Sequence, residues 1–227
     1  QIQFAGDVAA YDFEVMQGRI TSTVAAPEAR LDRVTEGNTT NEVQRLSLNG
    51  AGAFRVSLEG HAQTTAILSA QASAAQIQAA LEGLDSVGAG NVSVQGNTAD
   101  GFDIEFKGLL AASNVGAVLV SPVQHLSLAM PGGQDPTAFA IRMPGVSEWS
   151  DQVSVEGLSQ TQVAAVLRSL IASYPGFNES SVDVQVQENA PWHFDLVFVG
   201  GLAGAEFESI ETLAVRVDEV QSERILV

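Results

Sequence analysis

The sequence predicts an α+β fold: tandem small domains, each a mostly antiparallel β-sheet or sandwich with one amphipathic helix. Two observations predict it. The first is a stretch alternating large apolar with polar residues, written three times. It reads Tyr11-Asp12-Phe13-Glu14-Val15, then Phe102-Asp103-Ile104-Glu105-Phe106, then Phe194-Asp195-Leu196-Val197-Phe198, and the copies start 91 and 92 positions apart. Only Val197 breaks the alternation, and period-two alternation marks a strand with one buried face. The second observation is a switch of apolar period. Behind Ser73-Ala74-Ala75-Gln76 and Ser159-Gln160-Thr161-Gln162 the spacing lengthens to that of a helix. In each tetrad the serine caps the helix and the glutamine reaches back to the serine backbone, a capping box.

Each unit opens on a strand, Val43-Gln44-Arg45-Leu46-Ser47-Leu48 or Val123-Gln124-His125-Leu126-Ser127-Leu128. Asn49-Gly50 and Pro131-Gly132-Gly133 supply turn chemistry behind it. The second strand carries Phe54, Val56 and Leu58, or Phe139, Ile141 and Met143. A third holds Ile67 or Val153. In the helix, Ile77, Ala80, Leu81 and Leu84 share one face, as do Val163, Val166, Leu167 and Leu170. Gly88 and Gly90, or Pro175 and Gly176, turn the chain into a strand carrying Val92/Val94 or Val184/Val186, with Ile2/Phe4 as an earlier match. The recurring stretch follows and ends at a glycine: Gly18, Gly108 or Gly200. A short last strand, near Ala117 to Val120 or Thr212 to Val217, leads to the next copy. The unit is strand-strand-strand-helix-strand-strand plus that final strand, and segregated helix and strands suit a sheet covered by one helix.

The expected boundaries are 1–30 for the second half of a unit, 31–42 for a linker, 43–121 for unit one and 122–217 for unit two. Residues 218–227 are expected to open a further unit or to pair with another subunit. Asp218-Glu219-Val220-Gln221 echoes Asn41-Glu42-Val43-Gln44, so Val220, Gln221, Ile225 and Val227 are the candidate partner-binding residues. A half unit leaves its apolar face open. Its completion is expected from adjoining repeats of a longer chain or from head-to-tail copies of the protein.

Composition narrows the function classes. Hydrophobic residues are 45% of the 227, ordinary for globular chains. The net charge of −17, spread along the chain, disfavours nucleic acid and anionic membrane surfaces as partners. With no cysteine, disulfides and thiolate metal sites are excluded in any compartment. No apolar run reaches the roughly 18 residues of a membrane span. No signal peptide is visible at Gln1-Ile2-Gln3-Phe4, which reads as the start of a processed protein or of a slice of a longer one.

The run Glu42-Val43-Gln44, Gly52-Ala53-Phe54-Arg55-Val56-Ser57-Leu58, Thr64-Thr65, Ser73-Ala74-Ala75-Gln76 through Leu84, Asn91-Val92-Ser93-Val94 and Phe102-Asp103-Ile104-Glu105-Phe106 resembles a known repeat. That repeat occurs in very large bacterial surface proteins, phage virion proteins and secreted algal and oomycete proteins. The second copy departs from it at Glu148-Trp149-Ser150-Asp151, where a Thr-Thr pair is usual. The resemblance implies an extracellular or cell-surface architectural role, with a virion as the alternative location. The function expected is therefore non-enzymatic: part of a filament, surface layer or stalk. The alternative is an adhesin or virion fibre segment serving in binding.

Candidate sites are weighed against plain structural roles. His61, His125 and His193 are far apart and sit at unmatched places, unlike zinc ligands. Asp103/Glu105 and Asp12/Glu14 alternate with apolar residues, so they belong to an outer sheet face and not to a paired-carboxylate site. Val197 breaks that pair within the chain. No catalytic or cofactor residues are assigned. Asp32, Glu36, Asn38, Asn41 and Glu42, with Asp218 and Glu219, make oxygen-rich linkers; solvation is their first reading and calcium the alternative. Asn38-Thr39-Thr40, Asn91-Val92-Ser93 and Asn178-Glu179-Ser180 fit the glycosylation triplet, which is common by chance. Lys107, the one lysine, has Val199 at the matching place, which argues against a general lysine crosslink. Trp149, Trp192 and Tyr174 occur in the second copy alone; exposed they would favour binding, buried they would favour packing.

Overall fold

The computed structural model describes residues 16–21, 28–37, 39–49, 52–205 and 207–217. Strands β1 (Met16–Thr21), β2 (Glu28–Thr35), β3 (Val43–Asn49), β4 (Ala53–Leu58) and β5 (Leu68–Ser69) precede helix α1 (Ala74–Glu82). Strands β6 (Val92–Asn97), β7 (Gly101–Phe106), β8 (Val118–Ser127), β9 (Ala138–Arg142) and β10 (Val153–Ser154) lead to helix α2 (Gln160–Ala172). Strands β11 (Val182–Val186), β12 (His193–Phe198) and β13 (Glu211–Val217) follow. The strands form three antiparallel sheets, ordered β1-β13-β9-β10, β11-β12-β8-β4-β5 and β2-β3-β7-β6. The fold is thus β-rich and mostly antiparallel, with two helices among the described residues.

Two apolar cores form. The first draws on β3, β6 and β7 from one sheet and on β4 and the start of β8 from another, with α1 packed alongside. Leu46, Phe54, Val56, Ile77, Leu81, Val92, Phe102, Ile104 and Phe106, the face read from the sequence, are each at most 1% exposed. A slip of one residue would have turned Ile104 outward. The second core gathers Leu126, Phe139, Ile141, Val163, Leu167, Phe194, Leu196 and Phe198. Each such side chain contributes about 1.5–3 kcal/mol on burial, so these faces decide the register.

Both capping boxes form: Ser73 and Ser159 each accept from the main chain of the glutamine three residues on, which bonds back to the serine N–H. Beyond β7 and β12, Gly108 and Gly200 open short 3-10 turns at φ +59° and +58°. A Cβ on Gly108 would lie 2.4 Å from Asn91 Oδ1, which is already held by the Leu109 N–H. A side chain there would have to displace the Asn91 amide and hold a left-handed φ, which glycine does without strain.

Several sequence assignments shift. Residues 31–35 of the expected linker belong to β2, which pairs with β3 from Glu28↔Asn49 to Thr35↔Val43. Main-chain pairing leaves little side-chain signature, so the composition of 31–42 concealed it. The expected boundary at 121/122 falls inside β8, which runs unbroken through it. Gly18, read as a strand end, is inside β1 opposite Val215. The third strand is centred on Leu68, since Leu68 pairs with Phe54 as Val153 pairs with Phe139; Ile67 is one residue early. Val92 pairs with Phe106 and Val182 with Phe198, so the counterpart of Val92 is Val182 and not Val184. Helix α2 buries Val163, Ala164, Leu167 and Ile171. Its Val166 and Leu170 are half-buried and line a shallow recess with Val153, because the inward stripe steps by four residues. Ile2/Phe4, Tyr11/Phe13/Val15 and 218–227, including Val220, Gln221, Ile225 and Val227, lie outside the described residues.

Candidate functional site

The place where the two cores meet is β8. Its first half, Val118–Pro122, pairs with β4, and its second, Val123–Ser127, pairs with β12. Val118 and Val120 enter the first core and Leu126 the second. Pro122 sits at the changeover between the two ladders. A proline has no N–H to donate, and the end of a ladder is where that omission is tolerated.

The outer face of this joint carries a charge pair. Arg55 on β4 is 8% exposed, and its guanidinium donates to Asp183 Oδ2 on β11 at 3.0 Å and to Thr64 Oγ1 at 3.3 Å. Asp183 also accepts from Gln185 Nε2 at 2.9 Å. Around the pair, Val123, Val197 and Ser121 are at most 2% exposed, and Ser121 Oγ accepts from Gly204 N–H at 3.1 Å. Arg55 Nε and Ser57 Oγ are buried with no protein partner. A buried group without a partner costs about 1–3 kcal/mol, so surrounding contacts hold Arg55 in place.

Two buried glutamines close the ends of the cores. Gln44 donates to Glu42 Oε1 at 2.6 Å and Gly116 O at 3.2 Å, and accepts from Val118 N–H at 2.8 Å. Gln124 donates to Phe207 O and Glu208 O at 3.3 and 3.1 Å, and accepts from Ile210 N–H at 3.1 Å. Each primary amide satisfies main-chain groups that would otherwise be orphaned beside the final strand. The sequence reading missed this role. The available signal was a glutamine on the inward face of Val43-Gln44 and again of Val123-Gln124.

Outside the cores the strands are stitched by cross-strand pairs. Arg45 grips Asp103 with two bonds of 2.7 Å, and this holds the Asp103 carboxyl below the usual carboxylate range and the guanidinium above its own. The matching place on β8 is occupied by His125, whose Nδ1 lies 2.6 Å from Asp195 Oδ1, with Gln187 Nε2 bonded to the same carboxylate. His125, expected at an unmatched place, faces Asp195 on β12 as Arg45 faces Asp103 on β7. His61 is exposed, and His193 Nδ1 is 2.8 Å from Pro191 O. Glu105 accepts from Asn41 at 2.7 Å.

The linker oxygens go to separate partners. Asp32 is held by Arg30, and Glu36 lies 3.8 Å from Arg33. Glu42 is fully buried: it accepts from Gln44 and from Val115 N–H at 2.8 Å, and it forms an ion pair with Arg33, whose Nε is 3.1 Å away. Asn38, Asp218 and Glu219 lie outside the described residues. Among the described residues no group of three or more His, Asp or Glu is placed to hold a metal. Trp192 is 8% exposed, and its indole N–H donates to Asp135 at 2.6 Å. Trp149 and Tyr174 are half-buried, Trp149 with the Arg142 guanidinium 5.0 Å from its ring centroid. Among the described residues no helix is long and apolar enough to cross a membrane. No family model and no curated protein matches the chain.

Proposed function

We propose that this chain is a non-enzymatic structural repeat protein, two tandem units that act as a stiff spacer in an extracellular or cell-surface filament, surface layer or stalk. The observation that carries the reading is β8, a strand that ends one core and begins the next without a flexible link. Bending at the joint has to break ladder hydrogen bonds or the Arg55–Asp183 pair. The pairings support the repeat: β3-β7-β6 and β8-β12-β11 match, as do β8-β4-β5 and β13-β9-β10. Repeated units in fixed contact give length without new folds. The partners proposed are adjoining repeats or head-to-tail copies of the chain, with no nucleic acid and no membrane insertion. Trp192, largely buried, supports packing over the adhesin alternative. Small-angle scattering tests the stiffness. The chain should scatter as one rigid body, and a Gly-Ser-Gly-Ser insertion between Pro122 and Val123 should broaden the distance distribution. An intact chain as flexible as the insertion variant would refute the reading.

A further inference from the structure

β1 and β2 are neighbours in sequence but belong to different sheets. β2 pairs with β3 beside the first core, whereas β1 pairs with β13, the last described strand, beside the second. β1 is an edge strand held through six consecutive register pairs, Met16↔Val217 to Thr21↔Thr212. Without it, β13 would present an open edge, although Thr212, Ala214 and Val215 are at most 1% exposed. An open strand edge is a template for another strand. From the arrangement of these elements we infer that β1 is exchangeable: residues 16–21 of one chain complete the β13 edge of a second copy.

Three features support a second copy as the occupant. The exchanged ladder has the same main-chain bonds as the closed one, so the exchange costs no pairing. Six residues, 22–27, separate β1 from β2 in sequence while the two strands pair beside different cores, and a short connection between such strands favours exchange. The contact joins an early strand to the last described one, so one-way exchange is head-to-tail and reciprocal exchange gives a closed dimer. The inference needs only the β1–β13 ladder; its failure would leave the shared strand β8, and the spacer reading, untouched.

The sequence has no cysteine, so introduced thiols report cleanly. Gln17 and Arg216 are register partners. Gln17→Cys and Arg216→Cys chains are mixed, warmed at high concentration and mildly oxidised, and disulfides are located by mass spectrometry. The expected result is a disulfide between the thiol introduced at position 17 of one chain and that introduced at position 216 of the other. It should come with a doubling of mass and a yield that rises with concentration. Successive amides alternate in direction along a strand, so the double change Arg19→Pro with Ile20→Pro removes at least one ladder donor. Placed in the Gln17→Cys chain, it should abolish the interchain bond. Three results would overturn the inference. A chain carrying both Gln17→Cys and Arg216→Cys crosslinks only within itself at every concentration; neither sample crosslinks at these positions; or the interchain bond survives the prolines.

Discussion

Removing the Asp183 carboxylate is the sharpest probe of the joint. The Arg55 side chain is 10% exposed and that of Asp183 29%, so the pair lies between the surface and buried regimes. Exposed pairs contribute about 0.2–1 kcal/mol. Breaking a fully buried pair costs about 3–5 kcal/mol, because the surviving charge is stranded. Asp183→Ala would leave Arg55 with Thr64 alone while its Nε is already without a partner. A loss of about 2 kcal/mol is expected, a fall of roughly thirtyfold in the folding equilibrium. With a urea slope of about 1–3 kcal/mol/M the midpoint drops by about 1 M. Arg55→Met with Asp183→Ala removes both charges and should recover most of the loss, since apolar replacement of a buried pair is often neutral. The assay is urea denaturation of the four chains as a double-mutant cycle, with scattering to report the joint. A cost below about 0.5 kcal/mol for Asp183→Ala, or additive single effects, would refute the claim that this pair locks the joint.

Further outcomes follow from the same geometry. Gly108→Ala should cost about 1–3 kcal/mol, from left-handed φ and the clash with Asn91. Gly200→Ala, whose Cβ would meet Ser180 O only at 3.2 Å, should cost less; thermal denaturation ranks them. Gln124→Leu should lose about 1–3 kcal/mol by orphaning Ile210 N–H, read as faster hydrogen exchange at Ile210. The Asp103 carboxyl titrates lower in the fold than in the unfolded chain, so its contribution is present above about pH 3.9 and is lost as pH falls through the folded value. Asp103→Asn should flatten the stability curve below about pH 4 by less than about 1 kcal/mol, because both side chains are over 40% exposed.

The sequence by itself determined the local structure. Alternation placed Phe102, Ile104 and Phe106 inward, and the Ser-x-x-Gln tetrads placed both helix starts, because these signals rest on side chains close together in the chain. The glycines after β7 and β12 were legible for the same reason. The tertiary structure alone decided which strands pair. That β8 serves two cores, that β1 lies on β13 and β2 on β3, and that Arg55 reaches Asp183 depend on contacts between distant segments. Main-chain hydrogen bonds are nearly the same whatever residues make them, so strand order leaves no local mark. Gln44 and Gln124 fall between. Their inward register was visible, but their partners at Gly116, Val118, Phe207, Glu208 and Ile210 emerge only when the final strand folds back beside them.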